Sequence, residues 1–551
     1  MITTNTNFDA KHNVDYKTPL YLIHFDGETT DYCNHKCTSP DNTLKRYLKS
    51  IKGLAQQDVP EEGQSTIEGV TIELVDYDQA ITALIATDTT SYFQRRKVTV
   101  KAGYAGMAES DLISILPAGY VTGLKYNRQG GSWVFEITDP RKVWDRNIFR
   151  GAEDSTVTLS GNPIDIFLGI LMSSGTPGTN HAFHDRYADG VGLDLDTTRV
   201  NVTAIEAVRD DWFPGSSHYM EFTVDDRETA GSWFKKEIFK PLNLRPGIDG
   251  TGKIVLRRFA PPLATSDETQ TFTKDNIIGH PSFNANLGGL INEVKFSYDH
   301  DGSDYQTIDY HVDASSMTNR GPGKKQIEIE SKGLHSSISA RSIPVAQITD
   351  IVAGRARAIF ARYAKPPVQI DCECFFDQWL SEAGDIVELT HEDLPDMEAG
   401  TLGYTNRRME ILNRRVDWIK GRVNVTLLDT GFDQGTYAVI SPTMTVTAGT
   451  DGENFTVSTA DAAKYANLTA PEVVLYDSKM RARAAHVTLL TVNTSTGACT
   501  CDALGVTPAA GDVIAFANYD DATTEQQLFG YIADSSNDLG TANDDAHLIA
   551  A

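Results

Sequence analysis

The stretch GYVTGLKYNRQGGSWVFEITDP (119–140) alternates apolar and polar residues on both sides of a glycine-bearing break. Successive side chains of a strand point to opposite faces, so the alternation predicts two half-buried strands. The break at Asn127-Arg128-Gln129-Gly130-Gly131 supplies the turn of a hairpin. The same period recurs in STIEGVTIELVD (65–76), where Ile67, Val70, Ile72 and Leu74 alternate apart from a slip at Gly69 that suits a bulge. With RRKVTVKAGYAG, these stretches make residues 1–150 a β block.

After residue 160 the period changes. NPIDIFLGILMSSG carries Ile164, Phe167, Leu168 and Leu171 at helical spacing, with Asn162 to cap it, Pro163 first and Gly175 past its end. NVTAIEAVRDDWF and DDRETAGSWFKKEIFKPLNL read as further helices, the second stopped at Pro241. LRPGIDGTGKIVLRRFAPP reads as a hairpin around Asp249-Gly250, so residues 151–265 are α+β. In residues 266–435, Val294, Phe296 and Tyr298 alternate ahead of a turn at Asp301-Gly302. IPVAQITDIVAGRARAIFARYAKPP forms a long helix ended by Pro366-Pro367, and VQIDCECFF, GDIVELTH, MEILNRRVDWI and GRVNVTLLDT are strands. That is a closed or nearly closed β unit with a helix against it. Short strands such as TMTVTAG, ENFTVST and EVVLYDS make residues 436–551 a small β domain. The fold class is therefore mainly β with an α+β insert. No repeat of roughly 30–45 residues is visible.

A chain of 551 residues suits about three to five domains. Its 75 acidic and 49 basic residues give a formal charge of −26, which argues against holding nucleic acid through clustered basic groups. An acidic wall still lets a polyanion slide past. No apolar run approaches the ~20 residues needed to cross a bilayer, so no membrane span is expected. MITTNTNFDAKHNVDYKTPLYLIHF lacks the basic and apolar regions of a secretory signal, so export by that route is not expected. Six cysteines are too few for a disulfide scaffold in a chain this long.

Three clusters have the residue types for chemistry. DYCNHKC (31–37) sets Cys33, His35 and Cys37 at alternate positions, which on a strand would share one face. Zinc or an iron-sulfur cluster would need at least one more ligand, and the CxxC knuckle of common zinc sites is missing. The expectation is plain thiols and no cofactor, with Cys33, His35 and Cys37 the metal candidates. Cys372 with Cys374, and Cys499 with Cys501, are strand pairs of the same kind. HAFHD offers His181, His184 and Asp185, with Asp189 close by, in a loop after SSGTPGTN. DHDGSDY (299–305) has the carboxylate spacing of a calcium loop but places Tyr310 where the bidentate glutamate belongs, and reads as a hairpin turn. No nucleophile elbow, phosphate-binding glycine loop, HExxH helix or GxGxxG after a strand appears, so no catalytic residues are assigned.

Several stretches in order resemble the tail hub, or baseplate hub, proteins of tailed bacteriophages. PLYLIHFDG, RYLKSIKGLAQQDVPEEGQSTIEGVTIELVD, VTVKAGYAG and VTGLKYNRQGGSWVFEITDP resemble the first tube-forming domain. IDIFLGILMSSGTPGTN, EAVRDDWFPG, FKKEIFKPLNLRPGIDGTGKIVLRRFAPP and DNIIGHPSF resemble the middle domain. LINEVKFSYD, KQIEIESKGL, the 344–364 helix and GDIVELTHEDLP resemble the second tube domain. The likeness spans roughly residues 15–430.

The resemblance implies two tail-tube-like β-barrel domains (1–150 and 266–435), a middle α+β domain (151–265) and a C-terminal small β domain (436–551). It also implies a non-enzymatic homotrimer at the virion tail tip, assembled in host cytoplasm. Six tube-like edges from three subunits would match a six-fold tube, and DNA would pass the acidic lumen without specific binding. Its partners would be a distal tail or tail-tube protein, and a central fibre or other tail-tip proteins. The 436–551 block lies outside the likeness and is expected to face outward, toward the fibre, another tip protein or host surface glycan. The competing readings are a tail-tip cell-wall hydrolase, with activity in that block or in HAFHD, and a receptor- or glycan-binding protein.

Overall fold

Most of the alternating residues of the first block pair into one eight-stranded sheet in the computed structural model. The structure describes residues 4–532, except 14–16, 89–92, 151, 153–155, 175–181, 214–217, 260–267, 314–315, 319–325, 337–344, 398–399, 430–435, 440–442, 466–471, 477–482, 485–486, 522–523 and 528. The chain is mainly β with helices. It divides into two compact units, Met1–Gly431 and Phe432–Ala551.

In the first unit a short helix, α1 (Thr6–His12), precedes β1 (Pro19–Phe25), β2 (Thr30–Cys33), β3 (Thr43–Lys45) and β4 (Leu48–Gly53). Then follow β5 (Gln56–Val59), β6 (Gln64–Ile67), β7 (Val70–Val75), α2 (Ala80–Thr87), β8 (Lys97–Tyr104), β9 (Ile113–Asn127) and β10 (Ser132–Thr138). The sheet order is β3-β2-β1-β8-β9-β10-β7-β4. The hairpin at 127–132 forms as expected, with Asn127 opposite Ser132. The 65–76 stretch is not one bulged strand. β6 pairs with β5 and lies in a different sheet from β7, so the chain changes sheets at Glu68-Gly69. The slip in the apolar pattern marks that crossing. Only glycines fit there: a Cβ on Gly53 would stand 2.0 Å from the Gly69 carbonyl oxygen.

The middle segment starts with β11 (Asn147–Ile148) and β12 (Val157–Gly161), followed by α3 (Pro163–Met172) and α4 (Val202–Trp212). Asn162 Oδ1 accepts from the Ile164 amide, the cap its position implied. The helix stops at Met172, and Gly175 lies outside the described residues. β13 (Met220–Val224) pairs with β12, and β14 (Glu228–Thr229) pairs with β11. The next helical run does not stop before Pro241. It passes from Ala230–Trp233 through a π-helical turn, Phe234–Phe239, into Lys240–Leu242, and ends where Asn243 turns left-handed at φ 59°. β15 (Leu244–Ile248) and β16 (Ile254–Arg258) form the expected hairpin.

Strands β17 (Glu268–Thr273), β18 (Ser282–Ala285), β19 (Glu293–His300), β20 (Tyr305–Val312) and β21 (Gln326–Glu330) precede the long helix Val345–Tyr363. β22 (Val368–Phe375), β23 (Ile386–Asp396), β24 (Thr401–Asp417) and β25 (Arg422–Asp429) complete the unit. The second large sheet runs β17-β23-β24-β25-β22-β18, and β5 pairs with β24 beside it. The hydrophobic cores do not follow the sequence blocks. One core joins Ile23, Phe25, Val100 and Phe135 of the first sheet to Ile370, Val387, Ile411 and Val425 of the second. Another joins Phe167, Ile205 and Phe234 of the middle segment to Phe296 and Ile329 of the β20-β19-β21 sheet and to Val352 and Ile359 of the long helix.

In the second unit, six strands pair in the order Met444–Gly449, Asn454–Val457, Ala498–Cys501, Val487–Val492, Glu472–Tyr476 and Val513–Asp521. The last pairs back to the first, which closes a six-stranded barrel. Met444, Phe455, Leu475, Leu489 and Ile514 fill it.

Candidate functional site

The two large sheets share a construction. In the first, β7 leads through α2 to β8, β9 and β10, and these pair in the order β8-β9-β10-β7. In the second, β22 leads through a 3-10 turn (Phe376–Leu380) to β23, β24 and β25, which pair as β23-β24-β25-β22. Each has one long strand, of 15 residues in β9 and 17 in β24, folded back through a glycine turn. Gly131 and Gly421, at φ 54° and 64°, supply the left-handed residue in the two turns.

Aromatic side chains join the sheets. Trp379, fully buried, stacks on Phe376 at 5.8 Å and meets Trp418 and Phe8 edge-on at 5.8 and 5.7 Å. Its indole Nε1 donates to Tyr104 Oη at 3.2 Å. Tyr21 Oη donates to the Trp418 carbonyl at 2.8 Å, and burial raises the pKa of that phenol well above its ordinary value.

Buried arginines fasten the remaining seams. Arg355 of the long helix donates to the carbonyls of Lys240, Pro60 and Glu61 and to Asn243 Oδ1, at 2.7–2.8 Å. Burial, and then the neighbouring Arg362 charge, lower its pKa to about 9, so it stays cationic at neutral pH. Arg362 forms a bidentate pair with Glu410 of β24 at 2.7 and 3.1 Å. Arg245 of β15 pairs with Asp58 of β5 and donates to the Ala383 carbonyl. Arg414 donates to the Trp379 carbonyl, and burial lowers its pKa to about 10. These contacts tie β5, the middle segment, the long helix and the second sheet together. The arrangement can hold two similar sheets at one fixed angle.

Glu237 is the buried acid of the π-helical turn. Desolvation raises its pKa to about 7, against the Lys332 amide that donates to it at 3.0 Å. Because the folded pKa lies above the unfolded one, the proton is held more tightly in the folded state, and stability is lost as pH rises from about 4.5 to 7. Glu237→Gln removes the charge and keeps an acceptor for Lys332. The variant should match the parent in unfolding free energy, from urea titration, at pH 5 and exceed it at pH 8 by up to about 3 kcal/mol. Equal midpoints at pH 8 would show that the buried carboxylate costs nothing.

The metal candidates do not share a strand face. β2 ends at Cys33, the chain bends at Asn34-His35, and Cys37 returns to a buried position while His35 remains half-buried. Both cysteines are unbridged thiols. Among the described residues, no group of three or more His, Cys, Asp or Glu side chains is placed to hold a metal ion. In HAFHD, His181 lies outside the described residues, His184 is buried, and Asp189 pairs with Arg150 at 3.8 Å. In DHDGSDY, Asp301 Oδ1 accepts from the amides of Ser303 and Asp304, as a hairpin turn requires. Cys372 and Cys374 lie buried on β22, and Cys499 and Cys501 lie buried on the 498–501 strand.

Sequence reasoning missed the buried arginines. The available signal was charge on an apolar stripe: Arg355 and Arg362 fall on the same helix face as Val352, Ile359 and Tyr363.

No family model and no curated protein matches the chain. Among solved structures it is similar to the 43 kDa tail protein of prophage MuSo2 from Shewanella oneidensis, at 10% identity over 75% of this chain and 99% of that one, TM-score 0.39. It is similar to the tail protein from Neisseria meningitidis MC58, at 10% identity over 75% and 97%, TM-score 0.37. It is also similar to the prophage tail protein gp18 from Listeria monocytogenes EGD-e, at 9% identity over 74% and 94%, TM-score 0.35. These likenesses transfer no residue roles.

Proposed function

We propose that the chain is a structural, non-enzymatic tail protein of a tailed bacteriophage, a hub whose three copies ring the end of the tail tube. The observation that carries this reading is the repeated strand order, β8-β9-β10-β7 and β23-β24-β25-β22, within one unit. Two similar sheets per subunit give a three-fold ring six similar edges, the number a six-fold tube needs. A heterologous ring closes only when the rotation between neighbours is fixed, and the buried arginines and tryptophans supply that rigidity. The ordered sequence resemblance over roughly residues 15–430 supports the same reading.

On this reading the ring sits between a tail-tube or distal tail protein and a fibre or other tip protein. The excess of acids keeps passing DNA from sticking. The 436–551 block is the part assigned to contact with the fibre, another tip protein or host surface glycan. Light scattering of the purified chain, with electron micrographs, tests the proposal: the expected species is a trimeric ring, formed alone or on adding tube protein. A monomer that never rings, even with tube protein present, refutes it. Release of muropeptides from peptidoglycan would favour the hydrolase instead.

A further inference from the structure

The DYCNHKC motif has no part in the hub reading, yet the fold buries both of its thiols beside the first sheet. Opposite residues on neighbouring strands share a face, and Leu22 of β1 stands opposite both Cys33 of β2 and Lys101 of β8. His24 and Asp31 continue the same face one step along. Tyr32 points the other way, into the core against Phe25.

The segment after the bend lies over that face. The Thr38 amide donates to the Met107 carbonyl at 2.8 Å, the Asp41 amide to Glu109 Oε2 at 2.9 Å, and Asn42 Nδ2 to Asp31 Oδ2 at 3.2 Å. Glu109 in turn pairs with Lys101 at 2.8 Å. Cys37, buried at 7% exposure, has Glu109, Asp31 and Lys101 as charged neighbours; Cys33, fully buried, has Cys37, Arg46, Lys36 and Asp31 around it, and its Sγ donates to the Lys45 carbonyl of β3 at 3.7 Å. The bend at Asn34-His35 thus brings Cys37 back to a buried position near Cys33, with three residues between them in the chain.

The other two pairs have the opposite geometry. Cys372 and Cys374, and Cys499 and Cys501, are two apart on straight strands, which holds parallel Cβ atoms roughly 6.6 Å apart. A disulfide needs about 3.5–4.5 Å between Cβ atoms that converge. Those pairs are core packing.

We propose that Cys33 and Cys37 form an intrachain disulfide that locks the 34–42 cover onto the first sheet when the protein meets a disulfide oxidant. The thiolate of Cys37 attacks one sulfur of a small-molecule disulfide such as oxidised glutathione and expels one glutathione thiolate. Cys33, deprotonated, attacks the mixed disulfide, forms the protein S–S bond and expels the second. Two protein thiols lose two electrons and two protons, and one glutathione disulfide becomes two thiols. Burial raises both thiols, Cys33 to about 11, so the exchange is slow at neutral pH and quickens as pH rises. If the chain is a tail protein, release from a reducing cytoplasm into the medium is the step that would close the lock.

The test uses the full chain, reduced, desalted and incubated with oxidised glutathione, then alkylated and digested with trypsin. Lys36 lies between the two cysteines, so cleavage there leaves a pair of peptides joined only by the disulfide. The expected result is one cross-link, Cys33 to Cys37, with the other four cysteines alkylated after unfolding, and a Tm a few degrees higher than that of the reduced protein. Cys33→Ser and Cys37→Ser should match the reduced parent in Tm and gain nothing from oxidant. Four outcomes overturn the proposal: both thiols still alkylated after full oxidation, a stable glutathione adduct on one of them, equal oxidation of the other pairs, or stoichiometric zinc lost in the serine variants. The mapping of the parent chain decides even if a variant does not fold. None of these outcomes depends on whether the chain forms a ring.

Discussion

Arg355→Ala should destabilise the Met1–Gly431 unit by about 3–5 kcal/mol, on the scale of breaking a buried charged hydrogen-bond set. The guanidinium reaches four acceptors on three separate segments: Pro60 and Glu61 next to β5, Lys240 at the end of the π-helical run, and Asn243 in the left-handed turn. Alanine leaves all four without this donor in a site where Arg355 itself is 2% exposed. Lysine keeps the charge but concentrates its donors at one atom and cannot span the set, so Arg355→Lys should recover only part of the loss. All six tryptophans, at 133, 144, 212, 233, 379 and 418, lie in this unit, so tryptophan fluorescence in urea follows it without interference from the C-terminal barrel. An unchanged urea midpoint would show that the seam is held elsewhere.

The features legible in the sequence were those set by neighbours in the chain. The 127–132 hairpin, the Asn162 cap and the Asp301 turn each depend on side chains within a few residues of the backbone they serve. The crossing at Glu68-Gly69 was not legible, because it is decided by β5 pairing with Asn413 and Arg414, more than 350 residues later. A slip in an apolar pattern looks the same whether the strand bulges or leaves its sheet. The partner of the long helix was hidden for a similar reason. Its apolar stripe said that one face is buried but not whether the second sheet or the middle segment buries it. At the candidate site, the cysteine motif was visible as composition, while its geometry turned on a bend at Asn34-His35 that alternating spacing does not announce. The shared strand order of the two large sheets leaves no visible repeat in the residues, because burial asks only for apolar side chains at alternate positions.

Trp379→Ala should have the other large effect, and its character should differ from that of Arg355→Ala. Trp379 is fully buried and touches Phe8 of α1, Phe376 and Trp418, while its indole nitrogen donates to Tyr104 of β8. Removing an indole from a closed core costs about 3–5 kcal/mol, since the surroundings refill the space only in part. The cavity opens where the first sheet meets the second, so the angle between the sheets should loosen before either sheet melts. If a ring of three depends on that angle, the variant should lose assembly at urea concentrations where its circular dichroism is still native. Trp379→Phe keeps most of the volume and loses the hydrogen bond to Tyr104, and it should assemble with a smaller loss of stability. Light scattering and circular dichroism on the same urea series separate the two effects. Loss of ring and loss of strand signal at one concentration would mean that the joint carries stability alone, with no separate part in setting the geometry of assembly.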